Sequence, residues 1–190
     1  MSEFEIKILT AKNWELYKSA RLSSLRDSPD SFGSTYDQET TLSDAEWQSR
    51  LDLKFRDIDA LPLVAELDGK PVGVAWGFIH KPDLRIAHIY QMWVSPELRG
   101  KGIAKSLLRE IEAWAISRGC GLMALAVTTS NEAAVNLYRS FGFIAAGQLE
   151  ELRIGSERMV QPMVMKLNSA AQHSNRSLRS LGRAKARALT

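Results

Sequence analysis

The stretch SPELRGKGIAKSLL, residues 95–108, constrains this chain more than any other. It joins an apolar, strand-like run, Ile86–Val94, to residues whose apolar positions recur at helical spacing: Ile103, Ala104, Leu107, Leu108, Ile111, Trp114 and Ala115. Arg118-Gly119 closes that helix, and a short continuous apolar run, residues 122–127, reads as a buried strand. The central unit is therefore strand, glycine turn, helix, strand. A strand that feeds a helix through glycines leaves backbone N–H groups unpaired at the helix start. Without Cβ atoms nearby an anion can come close, and the helix dipole favours it. Arg99, Lys101 and Lys105 add full positive charges. The turn is suited to phosphate.

The flanks supply further elements. Residues 4–9 alternate apolar and polar, as a half-buried strand does. Trp14, Tyr17, Ala20, Leu22 and Leu25 are spaced for a helix, and residues 27–41 read as a loop. Ser43 with Glu46 is a capping box that starts a second helix. Residues 63–67 and 72–79 flank Asp68-Gly69, a hairpin signal. Ser130 or Asn131 caps a helix that Gly142 ends, and residues 143–147 and 159–167 form the last strands. Helices covering a mixed sheet, an α/β class, is the expected architecture.

The 190 residues suffice for one domain with a substantial core, here residues 1–167. No apolar stretch approaches a membrane span, and the first residues lack the features of a signal peptide. A single cysteine, Cys120, excludes an intramolecular disulfide, and three dispersed histidines show no metal-ligand spacing. A cytosolic (cytoplasmic) protein without structural metal is expected. The net charge of +3 is misleading, because residues 168–190 carry five cations and no acid. That tail, rich in Ser, Ala and Arg, reads as a solvated extension. No aromatic is interleaved to stack on bases, so nucleic acid is not expected as a partner.

Which phosphate the turn holds follows by comparison of patterns. A nucleotide P-loop needs glycine at positions 99 and 104, and the dinucleotide fingerprint needs glycine or alanine at 105; this chain has neither. Arg-x-x-Gly-x-Ala, residues 99–104, resembles the pyrophosphate loop of the GNAT superfamily of N-acetyltransferases. NEAAVNLYRSFGF, residues 131–143, resembles that family's other signature, at a distance that leaves room for one helix and one strand. The resemblance covers residues 4–167 and extends to the loop DSPDSFGSTYDQE, residues 27–39.

The resemblance implies the GNAT fold, a central mixed and mostly antiparallel sheet flanked by helices. Acetyl-CoA lies where two parallel strands, here residues 86–94 and 122–127, splay apart. The backbone of Met92, Trp93 and Val94 would pair with the pantetheine arm. Arg99, Gly100, Lys101, Gly102, Ile103 and Ala104 would hold the pyrophosphate, and Asn131 would bond the cofactor arm, cap a helix, or both. Tyr138 matches the tyrosine that protonates the departing thiolate, although it also lies on an apolar helix stripe where it could be core. His88 falls where some relatives carry a glutamate and could accept the amine's proton, or be an ordinary sheet histidine. Glu97 is expected to set its turn.

The implied activity is direct acetyl transfer from acetyl-CoA to a primary amine. Nine acids against three bases in residues 27–59 point to a small cationic acceptor. Phe32, Tyr36 and Trp47 are walls of that site or core. A protein N-terminal or lysine acetyltransferase and a non-catalytic CoA-binding module are the other readings, and homodimerisation stays open.

Overall fold

A computed structural model describes residues 4–168. In chain order the elements are β1 (Glu5–Ile8), α1 (Trp14–Asp27), α2 (Tyr36–Thr40), α3 (Asp44–Arg50), β2 (Asp59–Leu67), β3 (Lys70–Ile79), β4 (Ile86–Val94), α4 (Ile103–Ser117), β5 (Leu122–Thr128), α5 (Glu132–Phe141), β6 (Ile144–Ala145), β7 (Glu150–Glu151) and β8 (Met159–Lys166). The strands form one sheet in the order β1-β2-β3-β4-β5-β8-β6, with β7 also on β8. Every pairing is antiparallel except β4 with β5. This is the expected mixed α/β sheet. The basic tail beyond Asn168 lies outside the described residues.

Strand alternation builds two cores. Leu63, Ala65 and Ala75 point to one side, where they meet Leu107, Leu108 and Ile111 of α4 together with Met123, Phe143 and Met163. Val64, Val74 and Trp76 point to the other, where Tyr17, Leu25 and Trp47 of α1 and α3 cover them. Leu107, Leu108 and Ile111 are fully buried, a contribution of about 1.5–3 kcal/mol each. The helix lies so close to the sheet that a Cβ on Gly77 would come 2.8 Å from the Trp114 ring. Glycine is required there by proximity alone.

Local signals place the helix ends. The Ser43 hydroxyl accepts from the Glu46 N–H at 3.3 Å, and the Glu46 carboxylate accepts from the Ser43 N–H at 2.8 Å, the capping box expected at α3. The structure adds to the expectation for residues 27–41, which hold a 3-10 turn, Pro29–Ser31, and the short helix α2. A second capping box, Thr35 with Gln38, starts α2. Its buried residue is charged, Glu39, so no apolar period announces it. β7 is likewise additional to the expected strands.

The departure of β4 from β5 positions the site. The two strands pair at Ile86↔Leu122, Ala87↔Met123 and His88↔Ala124, and then separate. β5 remains on β8 as far as Thr128↔Val160 and β4 on β3 as far as Val94↔Gly73, so each strand stays with its outer neighbour as the two part. Trp76 opposes Tyr90 while Val74 opposes Trp93, which puts one extra residue into β4. That bulge contains Gln91 at φ +55°. Bulges bend a strand and increase its twist. The Tyr17 hydroxyl donates to Gln91 Oε1 at 3.0 Å, tying the bulge to α1.

Candidate active site

A cleft of about 1060 Å³ opens between the splayed strands. Ile89 to Val94 of β4 and Leu125 to Thr128 of β5 form its arms, and the start of α4, α5 and residues 31–34 complete its walls. The Ser95 N–H donates to the Val72 carbonyl of β3 at 2.9 Å. Backbone direction alternates along a strand, so Trp93, like Ser95, turns its polar groups toward β3 and Val94 away from it. Met92, Trp93 and Val94, the three residues expected to meet a cofactor arm, all line the cleft.

Beyond the Val94 end of the β4 arm lies the glycine turn. Gly100 and Gly102 have φ of +78° and +88°. A Cβ built on either would meet nothing within 4 Å, so neither glycine answers a clash inside the protein. The backbone N–H groups of Gly100, Gly102, Ile103, Ala104 and Lys105 have no acceptor among the described residues. Open space over a row of free donors is the cradle that a pyrophosphate fits. Arg99, Gly100, Gly102, Ile103 and Ala104 line the cleft; Lys101 does not, and Lys105 does.

The Arg99 side chain is already engaged. Its Nε donates to the Val94 carbonyl at 3.0 Å and its Nη2 to Asp27 Oδ2. Trp93 Nε1 donates to the same carboxylate oxygen at 2.9 Å. Burial pushes the Asp27 carboxyl up, but hydrogen bonds from Ser28 and Trp93 and the Arg99 charge outweigh it and hold the group below the usual range. Asp27 thus fastens the end of α1 to the strand and the turn. Glu97 accepts from the Ser95 hydroxyl and, as expected, serves its turn.

Tyr138 lies on α5, buried among core residues, with its ring edge-on to Phe143 at 5.9 Å, and it also lines the cleft. Burial raises its pKa, so the phenol keeps its proton throughout the neutral range. Asn131 is the cap of α5, its Oδ1 accepting from the Ala134 N–H at 3.1 Å, and it too lines the cleft. Its Nδ2 approaches Ser31 Oγ at 3.5 Å.

His88 stands at the last parallel rung, below the cleft, and is not part of its wall. It is half-buried among His80, at 5.2 Å between ring centres, and Tyr90, at 6.1 Å and stacked. Burial and then the His80 charge lower its pKa. Tyr90 reaches the cleft, and its hydroxyl lies 3.0 Å from His80 Nε2.

The acids of residues 27–59 are differently placed from the expected negative rim. None of the nine lines the cleft. Asp27, Asp30, Glu39, Asp44, Asp57 and Asp59 are in ion pairs with Arg99, Arg158, Arg21, Lys18, Lys81 and Arg118. Trp47 is core, and Phe32 is both core and part of the cleft wall. Sequence reasoning missed Arg21, Gln91 and Tyr90. Arg21 alone carried a signal: it lies on the α1 stripe with Tyr17, Ala20, Ser24 and Leu25, where a charge is out of place.

Among the described residues no group of three His, Cys, Asp or Glu side chains is disposed to hold a metal ion. No helix among them is long and apolar enough to cross a membrane.

Comparison with solved structures finds the same fold. An acetyltransferase of the GNAT family from Streptococcus pneumoniae superposes with a TM-score of 0.74 at 23% identity, over 87% of this chain and 100% of that one. A ribosomal-protein-alanine N-acetyltransferase from Brucella melitensis gives 0.70 at 23%, over 86% and 99%. The spermidine N-acetyltransferase of Vibrio cholerae, in complex with CoA and spermine, gives 0.69 at 20%, over 87% and 96%. The acetyltransferase (GNAT) family profile matches residues 22–143, a span that contains the end of α1, the splayed strands, the glycine turn and Tyr138. The chain belongs to the GNAT family of acetyltransferases.

Proposed function

We propose that this enzyme moves the acetyl group of acetyl-CoA directly to a small primary amine. The observation that carries this reading is the parallel ladder that stops after His88↔Ala124, with a turn of free N–H donors following the far end of the freed strand. The freed edge at Met92 and Val94 pairs with the pantetheine arm, and Gly100 to Lys105 receive the pyrophosphate. Asn131 keeps its cap and turns Nδ2 to the cofactor arm.

The amine nitrogen attacks the thioester carbon, the C–N bond forms, and the C–S bond breaks. Backbone N–H at the splayed strand stabilises the oxyanion. Tyr138 gives its proton to the departing sulfur; burial, which raises its pKa, keeps the phenol protonated until the thiolate forms. The proton lost from nitrogen passes by water to His88, which its lowered pKa keeps neutral and able to accept. The cysteine takes no part: Cys120 is buried, its thiol is pushed up by burial, and it does not line the cleft.

A small acceptor is favoured by the way residues 29–31 are held. Arg153 Nη2 donates to the Pro29 carbonyl at 2.6 Å, Arg158 Nη2 to Asp30 Oδ2 at 2.8 Å, and Thr128 Oγ1 to the Asp30 carbonyl at 2.8 Å. These contacts draw the α1 side to the β5 and β8 side and narrow the space between. A cationic acceptor was expected from the acids of residues 27–59, but with most of them paired and none on the wall that support is withdrawn. The test is a panel of primary amines with acetyl-CoA, following free thiol and the mass of the product. Acetylated product from at least one small amine is expected; thiol release without any N-acetyl product would overturn the proposal.

A further inference from the structure

We propose that the acceptor amine carries a carboxylate, and that Arg21 binds it; this rests on the acetyl-transfer reading and names its substrate class. Arg21 is 2% exposed, yet it is part of the cleft wall with Phe32, Gly33 and Ser34. Its Nε and Nη2 donate to Glu39 Oε1 at 3.3 and 3.1 Å. Arg50 Nη1 donates to the other oxygen, Oε2, at 2.8 Å. Two guanidinium groups therefore share one carboxylate, and the cluster carries a net positive charge. Arg21 Nη1 is buried and has no partner.

A buried N–H group with no acceptor is costly, and the single Glu39 carboxylate does not balance two guanidinium groups. Among the other buried unpartnered nitrogens, those of Trp47 and Trp76 are neutral indoles, and Arg153 is not on the cleft wall. Arg21 alone combines burial, an unpaired donor, excess positive charge and access to the cleft that also holds Tyr138. An oxyanion brought in by the substrate answers all of these at once, and a carboxylate matches the guanidinium fork.

The local structure leaves room for the exchange. Arg21 Nη2 reaches Ser34 Oγ at 3.4 Å, a long contact that a carboxylate oxygen would replace. The guanidinium stacks over Phe32, 4.7 Å from the ring centre, which fixes its plane. The two acids on the cleft wall, Glu150 and Glu151, are exposed, where water solvates their charge, and Glu151 also accepts from the Gly155 N–H. They do not neutralise Arg21. The acceptor class is then a small amino acid, its amine toward the thioester and its carboxylate toward α1.

The experiment uses the full-length enzyme with the twenty proteinogenic amino acids, each beside its own amide, and acetyl-CoA. The wild type should favour at least one acid over its amide by roughly 10- to 100-fold in kcat/KM. Arg21→Gln should bring that ratio toward one through loss on the acids. Because Arg21→Gln leaves Glu39 short of a partner, the Arg21→Gln/Glu39→Gln double variant is measured too, with circular dichroism as the check on folding. Binding of N-acetyl-amino acids and of their amides is followed by calorimetry, a readout that needs no turnover. Amides acetylated as well as acids, or equal losses in both series on changing Arg21, would overturn the carboxylate anchor while leaving the transferase intact. Arg21-dependent binding of N-acetyl-amino acids with no turnover of any amine would keep the anchor and remove the transferase reading.

Discussion

His88 faces Ala124 in the last register pair that joins β4 to β5. One residue farther along, the strands are apart and the cleft begins. The imidazole therefore sits at the vertex of the opening, beside Tyr90 of the cleft wall and below the level of Met92 and Val94.

That position leads to a pH prediction. If His88 accepts the amine's proton, its neutral form is the active one, and activity falls as pH drops through its pKa. Burial and His80 lower that pKa, so the acidic limb of kcat/KM should lie below the usual histidine midpoint of about 6.5. His88→Gln should flatten it. An unchanged limb in the variant would assign the deprotonation to water or to the free amine.

Tyr138→Phe keeps the ring against Phe143 and removes only the hydroxyl. A loss of roughly 10²–10⁴-fold in kcat is expected, with acetyl-CoA affinity and melting temperature close to wild type. Wild-type kcat under conditions where chemistry limits turnover would retire the assignment.

Gly102→Asp sets a side chain at φ +88°, which costs about 1–2 kcal/mol, and a negative charge over free N–H groups. The space about that position is open, so the fold should persist. Calorimetry should show CoA affinity lowered by about tenfold or more. Undiminished affinity in the folded variant would remove the turn from the site.

Asp27 provides a stability test. Its folded pKa is depressed, so its contribution is complete above the unfolded value and disappears as pH falls through the folded one. Asp27→Asn should flatten the decline in urea midpoint below about pH 4, and should lower Tm at neutral pH by loosening Trp93 and Arg99. Parallel midpoint curves for the two proteins would contradict the role given to this carboxylate.

Glu39→Gln should destabilise by about 3–5 kcal/mol, because it leaves Arg21 buried opposite a neutral amide. Replacing Arg21 and Glu39 together by methionine should cost less than the single change, as measured by denaturant unfolding. A double variant weaker than the single one would mean that the pair stabilises beyond mutual neutralisation.

The parts of this site visible in the sequence are those made by local rules. The bounds of β4, the turn at Gly100 and Gly102, the stripe of α4 and the cap at Asn131 each follow from a short pattern of residues. The bulge at Gln91 could not be read, because it depends on how β3 registers against β4, and glutamine at positive φ has no local signature. Asp27 looked like one acid among nine, and only the fold brings Trp93 and Arg99 to it. The pairing of Arg21 with Glu39 joins α1 to α2, a helix too short and too polar to show a period. Side chains that answer their own neighbours were legible, and those that answer a distant element were not.

The three-pair junction between β4 and β5 also has a mechanical consequence. β2 and β3 share nine register pairs, and β5 and β8 share seven. A load drawing the two halves of the sheet apart would find its weakest seam at Ile86–His88, where so few rungs share the force. α4 lies across β2, β3 and β4, and its end runs straight into β5 through a four-residue turn. It braces one side of the notch, while residues 29–31, bonded to Thr128, Arg153 and Arg158, tie across its mouth, so the stiffness there comes from a helix and a loop more than from the sheet.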